Sequence, residues 1–220
     1  MLFKDRTAAG QLLAGQLASY ANRPEVIVLG LPRGGVPVAY EVAKALRVDL
    51  EVFLVRKLGV PEQEELALGA IASGGVRVLN EAVVRSLRIP VETIDKVTVK
   101  EQQELTRREQ LYRDGRPTPA LQNRTVILVD DGLATGATMR AAVIALRQYQ
   151  PAKIVVAVPT AAAEIRHELH QTVDNIVCAM TPRPFHSVGL WYEDFSQTTD
   201  EEVRKLLNQA ALRAHSTSYS

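Results

Sequence analysis

The chain has 220 residues, 26 Lys plus Arg against 25 Asp plus Glu, 46% hydrophobic residues and one cysteine. A formal charge of +1 gives no electrostatic basis for a nucleic-acid or anionic membrane partner, and a lone Cys178 excludes both a disulfide framework and a Cys-based zinc site. No apolar run approaches the ~18 residues of a membrane span, and the start MLFKDRTAAGQLLAGQL lacks a signal-peptide core, so a single cytoplasmic globular domain is expected.

In chain order, residues 7–20 repeat apolar positions on a helical period, with Thr7 as the expected cap. A buried strand follows at 26–29, then a loop at 30–35, a helix at 36–46 and a strand at 50–55. The polar stretch from Arg56 to Ala67, with Gly59 and Pro61, is expected to be a mobile loop. Residues 68–72 and 76–79 read as a hairpin around Ser73-Gly74-Gly75. Asn80 is placed to cap a helix through Leu87, and Pro90 to open a longer one over about 91–112. That second helix is rich in charge (KEQQELTRREQ) and is expected to face solvent. Residues 113–125, with Gly115, Pro117 and Pro119, form a connector. Strands at 125–130, 154–158 and 176–178 then alternate with helices at 137–148 and about 161–170, and a last helix covers about 199–213. Alternating strands and helices, with nearly continuous Val/Ile/Leu strands, predict an α/β fold around a mostly parallel sheet covered on both faces. Ligands of such sheets bind beyond the carboxyl ends of the strands.

Two segments leave those ends with chemistry in them. Residues 126–138 read VILVDDGLATGAT: a buried strand, the carboxylates Asp130 and Asp131, then a loop of small residues and hydroxyls, Ala134, Thr135, Gly136, Ala137 and Thr138, opening a helix. A helix start attracts anions, by roughly 0.3–1 kcal/mol and up to ~2 when partly buried. The segment therefore offers a phosphate cradle beside two groups able to accept bonds from sugar hydroxyls. The plainer alternative is an ordinary strand-to-helix turn in which Asp131 or Thr135 serves only as the cap. Residues 26–35 read VIVLGLPRGG, setting Arg33 against Gly34 and Gly35. A planar guanidinium suits bidentate binding of a phosphate group, and glycines allow close backbone approach. Arg56 and Lys57 end the predicted strand at 50–55, either as a second cationic anchor or as a solvated pair.

Other signals are weaker. Glu164, His167 and His170 share one helix but lack a third strong ligand for a metal. Basic residues at 107, 108, 113 and 116 interleave with Glu101, Glu104, Glu109 and Asp114, which reads as a solvated helix rather than a nucleic-acid surface. Residues 181–193 (TPRPFHSVGLWYE) gather Phe185, His186, Trp191 and Tyr192, which either contact a ligand or pack the last helix against the body.

The strand, the acidic pair and the Thr-Gly-x-Thr loop at 126–138 resemble the signature of the type I phosphoribosyltransferases, and LPRGG at 31–35 resembles the pyrophosphate loop of that family. Over its whole length the chain is similar to a little-characterised group of phosphoribosyltransferases through LPRGG, VRKLG and VGLWYEDF. The resemblance implies one domain over 1–220: a core at about 20–180, an inserted hairpin and helical segment at about 68–120, and a small C-terminal hood and helix at about 181–213. It implies transfer of a ribosyl 5-phosphate group from phosphoribosyl pyrophosphate (PRPP) to a nitrogen acceptor. Asp130 and Asp131 would hold the ribose diol, Ala134–Thr138 the 5′-phosphate, and Arg33, Gly34, Gly35, Arg56 and Lys57 the pyrophosphate, with Phe185 and Trp191 at the acceptor. Mg²⁺ is the implied cofactor, held through substrate and waters near Asp130 and Asp131 rather than by direct protein ligands. A glutamate of the polar stretch (Glu62, Glu64 or Glu65) is the candidate general base. Family members commonly carry a non-proline cis peptide in the pyrophosphate loop, which points to the bonds flanking Pro32 and Arg33. A small-molecule acceptor and a homodimer fit the resemblance, with neither a nucleic-acid nor a membrane partner. Ala134 stands where many members have Thr or Asp and gives a slight lean toward purines. The segment at 68–112 lies outside the common core, so acceptor recognition can differ. Two alternatives stay open: a non-catalytic PRPP or nucleotide sensor, and hydrolysis of PRPP or a related sugar phosphate.

Overall fold

The computed structural model describes residues 2–61 and 63–217, excepting the side chains of 63–65 and 214–217. Glu62 and the side chains of Glu64 and Glu65, the candidate bases, lie outside the described residues.

Five strands form a parallel sheet: β1 (Val26–Gly30), β2 (Asp49–Val52), β6 (Thr125–Val129), β7 (Lys153–Thr160) and β8 (Asn175–Met180), in the order β2-β1-β6-β7-β8. β1 lies beside β6 in the register Val26 to Thr125 through Gly30 to Val129, which brings both carboxyl ends level. The central strands β1, β6 and β7 are almost wholly apolar because both faces are covered, whereas the edge strand β2 carries Asp49 and Glu51. Ile27, Leu29, Val126 and Leu128 point into one core with Met139, Val143 and Leu146 of α5 (Ala137–Arg147). Val26, Val28, Ile127 and Val129 alternate into the other, against Leu13 of α1 (Arg6–Gln16) and Val38 and Val42 of α2 (Gly35–Leu46). Both faces of the sheet are thus close-packed against helices.

A second, antiparallel sheet of β3 (Val55–Val60), β4 (Gln63–Ala72) and β5 (Val76–Leu79) stands apart from the first. After it come α3 (Glu81–Ser86) and α4 (Val91–Arg113), and the fold closes with α6 (Ala163–His170) and α7 (Asp200–Thr217). As expected, Asn80 caps α3 by accepting from the Val83 N–H at 3.3 Å, and the hairpin turns at Ser73–Gly75 with Gly74 at φ 77°.

Four expectations are corrected. Helix α1 is capped by Asp5, which accepts from the Ala8 N–H at 2.8 Å, rather than by Thr7. It ends at Gln16, and a separate 3₁₀ turn covers Ala18–Tyr20. The strand expected at 50–55 is two strands in two sheets, β2 and β3, because the chain leaves the parallel sheet after Val52. Most of the expected mobile loop is strand, since VRKLGV buries Leu58 and Val60 under its polar alternates. Finally, α4 has a core face. Ile94, Leu105 and Tyr112, spaced at near-whole helical turns, join Leu58, Ile71, Val203 and Leu207 in a third cluster, a stripe diluted by surrounding charge.

Candidate functional site

The two loops singled out from sequence meet at the level ends of β1 and β6. The Leu31 N–H donates to Val129 O at 2.9 Å, and the Gly35 N–H to Leu31 O at 3.0 Å. The Pro32–Arg33 peptide is cis, one of the two bonds the resemblance pointed to. Glycine at 34 and 35 is a requirement of packing. A Cβ on Gly34 would run into the Asp131 carboxylate, and one on Gly35 would sit 2.7 Å from Val129 O and 2.9 Å from Asp130 Cα.

Asp130 and Asp131 lie at the floor of this junction, part-exposed by area yet surrounded by protein. Asp130 Oδ1 accepts from the Asp131 N–H at 2.9 Å. Burial, and then the neighbouring Asp131 charge, pushes the Asp130 carboxyl well above the usual carboxylate range. Asp131 is raised too, burial outweighing the opposing pull of Arg6, whose Nε lies 2.9 Å from Asp131 Oδ2. Among the described residues, the pair thus has one close cation, Arg6, for two carboxyl groups.

Beyond the pair, Leu133 is tied to the end of β7 through its N–H to Thr160 O (2.9 Å) and its carbonyl from the Ala162 N–H (3.1 Å). Gly136 adopts a left-handed conformation, φ 67°, packs against Ile165 of α6 and itself forms the cap of α5. Gly136 makes no side-chain cap bond, but the Thr135 hydroxyl accepts from the Ala137 N–H at 3.5 Å, so of the plainer reading Thr135 keeps a weak hold on the helix start while the Asp131 carboxylate turns to Arg6 instead. Among the described residues, the N–H groups of Thr135, Gly136, Thr138 and Met139 have no backbone partner, and the start of α5 presents them as a group.

Arg33 extends from the first loop with its guanidinium 3.9 Å from Asp200 at the start of α7. Arg56 lies within β3 and pairs with Glu101 of α4 at 2.6 Å. A hollow of about 30 Å³ lined by Leu31, Pro32, Arg56 and Thr138 joins the two loops, and a cleft of about 680 Å³ opens beside it, lined by Arg56, Lys57, Lys100, Glu101 and Thr138 among others. Arg56 and Lys57 therefore face the same space as the end of the phosphate loop.

The 181–193 segment reaches the acidic pair from the other side. A Cβ on Gly132 would meet Val188 at 2.5 Å, and the Tyr192 hydroxyl donates to Asp131 O at 2.6 Å. Phe185 stacks on Trp191 at 6.3 Å between centroids and 23° between planes, and Trp191 Nε1 is buried without a partner among the described residues. The rings here pack the N-terminal segment rather than the last helix, with Tyr192 5.3 Å from Phe3. Glu164, His167 and His170 line a separate hollow with Arg166 and Arg183. Among the described residues no group of three or more His, Cys, Asp or Glu can hold a metal, and no helix is long and apolar enough to cross a membrane.

Arg6, Glu101 and Asp200 carry no sequence signal for these positions, since they come from helix residues whose local pattern is that of ordinary solvated side chains; Tyr192 belongs to the ring cluster at 181–193, but its bond to Asp131 O is not legible there.

Residues 61–180 match a family model described as the phosphoribosyl transferase domain. The Mycobacterium tuberculosis H37Rv protein named "Putative phosphoribosyl transferase Rv0571c" is 48% identical over 209 residues, 95% of this chain and 47% of that one. The chain thus spans about half the length of the curated relatives it matches. The crystal structure of TT1426 from Thermus thermophilus superposes with a TM-score of 0.87 at 42% identity, covering 95% of this chain and 99% of that one. AQ2163 from Aquifex aeolicus, 13% identical, shares the fold at a TM-score of 0.51 over 84% of this chain and 78% of that one.

Proposed function

The chain belongs to the phosphoribosyl transferase family, and from that premise we propose that it transfers a ribosyl 5-phosphate group from PRPP to a nitrogen acceptor. In that reaction a nitrogen lone pair forms the bond to C1 of the ribose while the C1–oxygen bond to pyrophosphate breaks. The acceptor's N–H proton passes to solvent or to a base. The observation that carries the reading is the packing of the Arg33–Gly35 loop onto Asp130 and Asp131 beside the start of α5. One junction thereby offers a cationic loop, an acidic pair and a cluster of N–H donors to the three chemically distinct parts of one substrate.

In this reading the N–H groups of 134–138 and the Thr135 and Thr138 hydroxyls bind the 5′-phosphate. Asp130 and Asp131 accept from the ribose hydroxyls and oppose the positive charge that develops on the sugar as pyrophosphate departs. Arg33, Arg56 and Lys57 neutralise the leaving group, each charge-assisted hydrogen bond contributing roughly 1.5–3 kcal/mol. Arg33 and Arg56 exchange Asp200 and Glu101 for phosphate oxygens when they do so. Phe185 and Trp191 offer flat apolar surface and one buried N–H donor to an acceptor ring, and Ala134 supports a slight purine lean. The site fits Mg²⁺, which would be held near Asp130 and Asp131 through substrate oxygens and waters, as this hard ion prefers. When bound, the ion would supply charge neutralisation for the departing pyrophosphate.

The test is pyrophosphate release from PRPP and Mg²⁺ against a panel of purines, pyrimidines and simple amines, with a no-acceptor control. Release dependent on one acceptor supports transfer and names the substrate. Release without any acceptor points to hydrolysis, and PRPP binding without release points to a sensor.

A further inference from the structure

Asp131 is gripped from two sides by residues that the reaction above does not use. Arg6 Nε meets its Oδ2 at 2.9 Å, and Tyr192 donates to its main-chain carbonyl at 2.6 Å. Arg6 is itself fixed at two further points, in a space that Gly34 leaves open. Its Nη1 donates to Ser196 O at 2.7 Å, its guanidinium lies 4.0 Å from the centre of the Phe195 ring, and Gly34 leaves room for it, since a Cβ there would stand 3.3 Å from Nε. The segment leading to Arg6 is stitched to the same stretch of chain. Phe3 N–H donates to Trp191 O at 2.9 Å, Glu193 N–H to Phe3 O at 2.8 Å, and Asp194 N–H to Lys4 O at 2.9 Å. Only 12% of the Arg6 side chain is exposed, and its Nε and Nη1 are already committed to Asp131 and Ser196. Its charge is also the one that pulls the Asp131 carboxyl down against the burial pushing it up.

We propose that Arg6 is a positioning residue for ribose recognition: by taking Asp131 Oδ2 from an anchor on the 191–196 segment, it presents Oδ1 to the sugar diol and couples that segment to the acidic pair. The geometry favours this over a merely structural ion pair for two reasons. A buried pair made only for stability has its charges matched, whereas here one arginine serves a two-carboxyl cluster. Further, the contact with Asp131 is a single Nε–Oδ2 bond while Nη1 goes to Ser196, rather than a fork occupying both carboxylate oxygens.

The proposal rests on Asp131 being the diol ligand, and the experiment separates the two claims. Ribose 5-phosphate and inorganic pyrophosphate are titrated separately, with Mg²⁺, into the unsubstituted chain and into Arg6→Gln, Arg6→Lys and Asp131→Asn, with thermal melting as the folding control. Arg6→Gln is expected to weaken ribose 5-phosphate about 10- to 100-fold, the loss of one charge-assisted contact, and to leave pyrophosphate affinity unchanged. Arg6→Lys, which keeps the charge but not the planar Nε geometry, is expected to recover part of the loss. Undiminished ribose 5-phosphate binding by Arg6→Gln, with Asp131→Asn impaired, overturns the positioning role and spares the site. Equal losses of both ligands without recovery by Arg6→Lys assign Arg6 to folding and also overturn it. Wild-type behaviour of Asp131→Asn, or no ribose 5-phosphate binding by the unsubstituted chain, overturns the site reading and the proposal together.

Discussion

The acidic and basic halves of the site are built in opposite ways. Asp130 and Asp131 sit at the protein-lined end of the parallel sheet, raised by burial and sharing, among the described residues, one close cation, Arg6. Arg33 and Arg56 are about one-third exposed and each faces a carboxylate: Arg56 pairs closely with Glu101, and Arg33 stands 3.9 Å from Asp200, which also accepts from Tyr112. The acidic half is therefore preorganised and under-neutralised, so hydroxyl donors or developing positive charge gain there without displacing a protein partner. In the basic half a polyanion must compete with carboxylates, most of all for Arg56. The arginines of the basic half are held in place by exchangeable partners, whereas the carboxylates of the acidic half are held by the fold itself.

The contrast breaks first at the acidic pair. Replacing both Asp130 and Asp131 by Asn is expected to lower PRPP affinity or turnover by at least ~100-fold, because both charged acceptors are lost from a low-dielectric position. Titration calorimetry with PRPP and Mg²⁺ measures it, and unchanged binding would remove the pair from the site. Next comes Arg33→Ala, with an expected loss of about 10- to 100-fold for pyrophosphate and much less for ribose 5-phosphate. Equal losses for the two ligands would contradict its placement. A smaller effect of opposite sign is expected for Glu101→Gln. Freeing Arg56 from its exchangeable partner should tighten pyrophosphate binding by roughly two- to fivefold, the size of a part-exposed ion pair. Weaker binding would mean that Glu101 orients Arg56 rather than competing for it.

The smallest expected effect is on stability. Asp130 has a folded-state pKa above its unfolded value, so its ionisation opposes folding. That cost is absent at low pH, grows as pH rises past the unfolded value of about 4, and levels off above the folded value. Asp130→Asn keeps an Oδ1 that can accept from the Asp131 N–H, so it is expected to raise Tm at pH 7 by a few degrees, about 2–4 °C per kcal/mol for a chain of this size. The gain should shrink toward zero near pH 4. Asp131→Asn is expected to give no such gain, because it strands Arg6 in a nearly buried position. Melting curves of both variants across pH separate the two carboxyls.

Much of this was legible in the chain. The five-strand parallel core follows from its runs of Val, Ile and Leu, and the two loops from their glycines, Arg33 and the acidic pair. Such features are local: a strand end, a turn and a helix start lie within a dozen residues of one another. The register of β1 against β6 then sets the loops side by side. The segment at 55–72 departs from its sequence pattern because its strands belong to a small separate sheet. There Gly59, Pro61 and a polar face look the same as a loop until Leu58, Leu68 and Ile71 find a core with α4 and α7.

By itself the sequence determined the alternating α/β order, the strand–Asp130–Asp131–loop unit, the Arg33-Gly-Gly loop and the family to which they belong, because backbone geometry and side-chain chemistry over short spans dictate each of these. Only the tertiary structure decided that Gly34 and Gly35 press against the acidic pair, that Arg33 and Arg56 face Asp200 and Glu101, and that Arg6 and Tyr192 reach from opposite ends of the chain to hold Asp131. Those contacts join residues separated by tens to more than a hundred positions. Their energy depends on burial and distance, which no local pattern of residues encodes.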